Sequence, residues 1–173
     1  KDRYGNVIYE TEKESNIVFS EETAFLTTSL MQSVINEGTG GRARWMWKFH
    51  HLGAGKTGTT NDNTDAWFMG FTPDLVTGVY IGVDNHAISL GKNQTGAKAA
   101  LPIWATFMRE AHKTMNWESK DFKVPKGIVK IAICKETKKL PSRFCPVEYE
   151  YFRKNNKPQE RCQKHGKDKN SNS

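Results

Sequence analysis

At 173 residues the chain is long enough for one domain with a sizeable core and a short appendage. A hydrophobic share of 36% and a mean hydropathy of -0.70 come with no apolar run near the roughly 20 residues that span a bilayer, and no signal-peptide pattern opens the chain. The formal charge of +7 suits contact with nucleic acid, anionic lipid or an anionic polymer, and does not choose among them.

The elements are read in chain order. Asp2-Arg3-Tyr4-Gly5-Asn6 has turn chemistry and Val7-Ile8-Tyr9 has β character, so together they read as the second half of a hairpin whose first strand precedes Lys1. Ser20 followed by Glu21 and Glu22 is a helix start, with a hydroxyl to cap free amides and acids at the positive end of the dipole. Leu26, Leu30, Met31, Val34 and Ile35 recur at helical spacing and predict a core-facing stripe ending at Glu37, with Gly38 as the stop. Arg42, Arg44, Trp45, Trp47, Lys48, His50 and His51 form a basic aromatic stretch. Its plainer reading is a loop whose aromatics tuck into the core, because no nucleic-acid-binding signature accompanies it.

Gly53 to Thr60, Asp65 to Phe71 and Leu75 to Val83 read as three strands joined by short turns. A polar loop follows over 86–96, and Ala97 to Met115 returns to helical spacing through Ala100, Leu101, Trp104, Phe107, Met108 and Ala111. Pro102 belongs in the first turn or at a kink. Beyond Trp117 the composition changes: residues 126–133 alternate as a strand, cysteines stand at 134, 145 and 162 in a lysine-rich stretch, and the chain from about Gly166 has the composition of a disordered tail. These readings divide the chain into residues 1–117 and a small appendage over 118–173.

Gly53-Ala54-Gly55-Lys56-Thr57-Gly58-Thr59-Thr60 looks most like a site. The period of two puts Thr57 and Thr59 on one face and Lys56, Gly58 and Thr60 on the other. Gly55-Lys56-Thr57 matches the end of a phosphate-binding loop, but that pattern needs glycine at position 50, which is His50, and a helix afterwards. Lys56-Thr57-Gly58 also matches the Lys-Thr-Gly signature of β-lactamases and penicillin-binding proteins. The longer run KTGTTNDNTDAWFMGFTPDLVTGVYIGVDN, with Asn36 to Ala43 before it and Ala99 to Trp104 after it, resembles the transpeptidase domain of class A, bifunctional penicillin-binding proteins. The resemblance covers roughly two thirds of the chain in family order.

The resemblance implies an α/β fold of the α+β type, an antiparallel sheet flanked by helices as in the transpeptidase and serine β-lactamase-like enzymes. It implies peptidoglycan D,D-transpeptidation through a serine acyl-enzyme, with stem peptides as substrates, β-lactam antibiotics as acylating ligands and no cofactor. Lys56 and Thr59 become the catalytic positions. Lys56 supplies positive potential and the Thr59 N–H an oxyanion contact, while Thr57, Gly58 and Thr60 line the substrate strand and the Thr57 and Thr59 hydroxyls hold the terminal carboxylate. The nucleophilic S-x-x-K serine and the S-x-N motif are expected on an upstream segment, together with a glycosyltransferase domain and an N-terminal anchor on the extracytoplasmic face of the bacterial inner membrane. Ser89-Leu90-Gly91-Lys92 matches S-x-x-K but falls in a loop after the third strand, and Tyr4-Gly5-Asn6 is more simply a turn than a variant motif.

Three cysteines in an exported protein suggest one disulfide and one spare thiol. Zinc held by Cys134, Cys145, Cys162 and His165 is the rarer alternative, since the cysteine spacings lack a C-x-x-C knuckle, and no metal ligand is assigned. The rival enzyme reading is a β-lactamase, which the flanking sequence and cysteine tail disfavour. A basic binding module for nucleic acid or anionic polymer is the rival of another class, and no nucleic-acid partner is expected.

Overall fold

The computed structural model describes residues 2–10, 16–85 and 87–166. The residues expected to form a tail beyond Gly166, and the first residue of the polar loop at His86, lie outside them. Among the described residues the fold has two antiparallel sheets and three helices. Helices α1 (Glu21–Asn36) and α2 (Arg42–Trp45) precede a meander of β1 (Ala54–Thr59), β2 (Asp65–Phe71) and β3 (Val76–Gly82). Helix α3 (Ala100–Thr114) follows, and then the hairpin of β4 (Ile128–Cys134) and β5 (Val147–Arg153).

Local chemistry accounts for the helix ends. Ser20 accepts the Thr23 amide at 3.3 Å, a side-chain cap for an otherwise orphan donor. At the other end the Glu37 and Gly38 amides both turn back on the Ser33 carbonyl at 2.9 Å. Gly38 is not left-handed: a Cβ there would lie 3.0 Å from the Val34 Cα, so crowding against the last turn is what calls for glycine. Pro102 falls in the first turn of α3, where its missing N–H has no helical partner to lose.

The core joins Ile35, Ala43, Phe49, Phe68, Leu101, Trp104, Ala105 and Met108. Antiparallel pairing sets Thr57 opposite Phe68 and Thr59 opposite Ala66, so these residues share the face on which Trp104 packs, its ring 4.8 Å from that of Phe68. Gly70 admits the indole, since a Cβ there would lie 2.5 Å from it. The opposite face leaves Trp67, Met69 and Tyr80 exposed.

Several expectations need correction. Only Ile35 of the predicted α1 stripe is fully buried; Leu30 is 72% exposed, and Phe25 is buried instead. The helix divides its contacts between two neighbours, with Ile35 in the main core and Phe25 meeting Tyr151 of β5 edge-on at 4.9 Å. In α3 the buried face runs through Trp104, Ala105, Met108 and His112, while Phe107 is exposed. The 2–6 turn forms, closed by the Gly5 amide on the Asp2 carbonyl at 3.1 Å, but residues 7–9 form no strand, having no ladder partner among the described residues. The three cysteines are free, not a disulfide and a spare: their sulfurs converge with His165 on one point instead of pairing.

The basic aromatic stretch tucks inward only in part: Arg42, Trp45, Lys48 and His50 are exposed, and Arg44, Trp47 and His51 are half-buried. Phe49 is fully buried, and Arg44 donates to the carbonyls of Phe49 and His51 and to Asn36 Oδ1. Burial lowers the Arg44 pKa from its ordinary value, a cost that three acceptors offset. Trp45 remains exposed.

Candidate active-site strand

The ladder decides what β1 presents. The Thr60 amide donates to the Asp65 carbonyl at 3.1 Å, and the same register continues through Gly58↔Trp67 and Lys56↔Met69. In an antiparallel pair such hydrogen-bonded residues alternate with residues whose N–H and C=O point away from the partner. The backbone groups of Thr57 and Thr59 therefore point to the outer side of β1, which is the edge of its sheet. Lys56 is exposed, and its Nζ donates to the Thr57 carbonyl at 2.9 Å, which holds the ammonium over that same edge.

The two hydroxyls are held from different elements. Thr57 Oγ1 lies 3.3 Å from Thr39 Oγ1, in the turn after α1. Thr59 Oγ1 accepts the Gly96 amide at 3.0 Å, at the entrance to α3. A hydroxyl that accepts one bond keeps its own proton to donate elsewhere, so the Gly96 contact fixes the Thr59 oxygen and leaves its O–H for a ligand. Gly96 can lie this close because it has no side chain: a Cβ would stand 2.2 Å from the Trp67 carbonyl oxygen.

Thr60 does not join this pair. Its hydroxyl accepts the amides of Thr64 and Asp65 at 3.0 and 2.9 Å and lies 2.8 Å from the Thr64 hydroxyl, so it closes the β1–β2 turn. Gly58 sits on the opposite face, where a Cβ would come within 3.2 Å of the Trp67 Cβ. Nearby, the Tyr80 hydroxyl donates to Asp65 Oδ1 at 2.7 Å, and that bond raises the phenol's pKa above its usual value. Ser89, the alternative nucleophile position, donates to the Asp62 carbonyl at 2.8 Å. It braces the 60–64 turn and has no base within hydrogen-bond reach among the described residues.

A groove of about 520 Å³ lies between α1 and residues 122–127, and no residue of β1 lines it. The Lys56 strand is an open wall with donors along its rim. Sequence reasoning did not single out Thr39, Gly96 or the spacing Cys162-x-x-His165. The last was legible, because two residues between ligands is a chelating spacing even when one ligand is histidine.

Comparison with known proteins decides the family. Residues 4–109, well over half of the chain, match the family model described as the penicillin binding protein transpeptidase domain. The chain belongs to the penicillin-binding protein transpeptidase family. Residues 124–167 match a second model, the C-terminal domain of penicillin-binding protein 1A. Penicillin-binding protein 1A of Clostridium tetani is 33% identical over 169 residues, covering 95% of this chain and 21% of that protein. The Aquifex aeolicus protein of the same name is 34% identical over 161 residues, covering 93% and 21%. The Rickettsia typhi relative is 43% identical over 123 residues, covering 71% and 15%. The crystal structure of penicillin-binding protein 1A from Haemophilus influenzae superposes with a TM-score of 0.74 at 32% identity, over 84% of this chain and 22% of that one. The chain thus spans about a fifth or less of the length of these relatives, and it carries their mixed fold of helices and antiparallel sheet.

Proposed function

We propose that this chain supplies the Lys-Thr-Gly wall of a serine D,D-transpeptidase that cross-links peptidoglycan stem peptides and is acylated by β-lactams. The observation that carries the reading is the outward direction of the Thr57 and Thr59 backbone on an edge strand. A substrate carbonyl seated there meets the Thr59 N–H as its tetrahedral oxyanion forms, a contact that grows with the developing charge. The Thr57 and Thr59 hydroxyls take the terminal carboxylate of a D-Ala-D-Ala peptide or of a β-lactam, and Lys56 makes the rim positive. Gly58 keeps the strand slim beside Trp67, and Thr60 acts through the turn it closes.

The nucleophile lies on an upstream segment carrying S-x-x-K and S-x-N, which forms the other wall. Its serine oxygen adds to the penultimate D-Ala carbonyl, the terminal D-Ala leaves with a proton, and the amine of a second stem peptide displaces the serine. The complete protein carries a glycosyltransferase domain and is anchored in the bacterial inner membrane by an N-terminal segment, with this domain on the extracytoplasmic side. Among the described residues no helix is long and apolar enough to cross a membrane.

Fluorescent penicillin tests the division of labour. This chain alone should stay unlabelled, and joined to the upstream segment it should give label on that segment's serine. In the joined enzyme, Lys56→Ala and Thr59→Val should each slow acylation about a hundredfold with the fold intact. Unchanged acylation in both variants, or label on Ser89 of the isolated chain, would remove this strand from its proposed role.

A further inference from the structure

The structure assigns a zinc site, structural in kind, to Cys134, Cys145, Cys162 and His165. The four come from three places in the chain: the last residue of β4, the approach to β5, and the turn after β5. Their ligand atoms all lie within 4.8 Å of one another. His165 Nδ1 stands 3.5, 3.6 and 3.4 Å from the sulfurs of Cys134, Cys145 and Cys162. Zinc bonds of about 2.3 Å to sulfur and 2.0–2.1 Å to nitrogen, set tetrahedrally, give sulfur–nitrogen edges of about 3.6 Å. The imidazole is thus equidistant from three sulfurs at the spacing a tetrahedral ion imposes. A disulfide would draw two sulfurs to about 2 Å and leave the third and the histidine without a purpose.

The surroundings suit coordination. Cys134 and Cys162 are buried. Cys145 Sγ accepts the Ser142 amide at 3.2 Å, the kind of bond that stabilises a thiolate. The other ring nitrogen of His165 faces Glu136 Oε1 at 3.4 Å, a carboxylate–histidine arrangement that fixes the tautomer presenting Nδ1 to a metal. Lys164 pairs with the same carboxylate, and the Cys134 amide donates to the Lys139 carbonyl at 2.7 Å, which fixes the loop after β4 beside the cluster. Four protein ligands leave no open position, which is why the site is structural and not catalytic. A two-stranded hairpin is marginal alone, and this one is too small for its own core, so a metal that clips its open end to the chain after β5 supplies the staple.

The test uses the whole chain, purified reduced without a metal-affinity tag and supplied with zinc. Elemental mass spectrometry should find one zinc ion per chain, and cobalt replacement should give the intense visible bands and thiolate charge transfer of a tetrahedral sulfur-rich site. Cys145→Ser and His165→Ala should lose the metal at chelator concentrations that spare the parent. His165→Cys should retain it with stronger charge transfer, and Glu136→Gln should weaken retention about tenfold. Should the substitutions unfold the hairpin, the cobalt spectrum of the unaltered chain decides. A metal-free parent, an octahedral cobalt spectrum, a disulfide between any two of these cysteines in the zinc-supplied chain, or zinc undiminished in both ligand variants would overturn the assignment.

Discussion

Gly96→Ala is the substitution through which stability and the active-site strand should fail together. The Gly96 backbone is not in the left-handed region, so alanine is conformationally permitted there, and the difficulty is contact alone. The added Cβ would lie 2.2 Å from the Trp67 carbonyl oxygen and 2.6 Å from that of Gly58. Both oxygens belong to the β1–β2 ladder, which does not yield as a side-chain tip would, so the loop must retreat by about 1 Å to restore ordinary contact. Retreat lengthens the bond from the Gly96 amide to Thr59 Oγ1 and disturbs the carbonyl that accepts the Ala100 and Leu101 amides at the start of α3. Overpacking of this kind costs about 1–3 kcal/mol and a lost hydrogen bond about 1 kcal/mol. About 3 kcal/mol in a domain of this size lowers Tm by about 10 °C. In the enzyme completed by its upstream segment, displacement of Thr59 on that scale should slow β-lactam acylation about a hundredfold. A calorimetric Tm within a degree of the parent, with acylation unchanged, would refute the claim that Gly96 braces Thr59.

Two more predictions address the appendage and the histidines. We propose the boundary near Trp117, and truncation of the completed enzyme there should preserve acylation while removing Phe122 from Phe71 and Tyr151 from Phe25, at roughly 3 kcal/mol in denaturant unfolding; loss of acylation in a folded truncation would move the boundary. His51 has its pKa lowered by burial first, then by neighbouring His112 and Arg44, so the unfolded chain takes up this proton more readily than the folded one. Its contribution to stability is therefore present above the unfolded value near 6.5 and is lost as pH falls from there toward the lower folded value; His51→Gln should flatten that limb of the stability–pH curve, and an identical curve would refute it.

The meander was legible because its strands carry β-branched and aromatic residues between turn residues, and the Lys-Thr-Gly run lies on its first strand. Lys56, Thr57 and Thr59 could be placed on a strand from periodicity alone. Which way their amides point depends on the partner strand, which no single-strand pattern contains. Thr60 shows the limit from the other side: its hydroxyl looks identical to that of Thr59 in sequence, yet two turn amides claim it. Helix α1 was found with its cap, but its stripe was read as facing one core, whereas Phe25 turns to Tyr151 of the β4–β5 hairpin instead. Cys134, Cys145, Cys162 and His165 were named together in the sequence, but zinc was ranked below a disulfide because the cysteine spacings lack a C-x-x-C pair, a criterion that passes over Cys162-x-x-His165. Thr39 and Gly96 had no local signal, because each matters through a contact 18 or 37 residues away.

For the proposed role, β1 must satisfy two demands that oppose each other. Its outer amides have to stay free for a substrate, and a strand with a free edge is ordinarily mobile and prone to pair with other chains. The fold meets the first by leaving β1 at the end of the β1-β2-β3 order and the second from directions that do not use that edge. The β2 ladder holds it laterally, Gly96 presses on its covered face, and Thr39 reaches Thr57 from the turn after α1. Lys56 places a charge over the edge, which discourages pairing with another strand and attracts a carboxylate. Preorganisation of the donors then rests on residues that touch no substrate. Rate should be as sensitive to a methyl group at Gly96 as to loss of the Thr59 hydroxyl itself, although a methyl group there removes no group that contacts the reacting peptide.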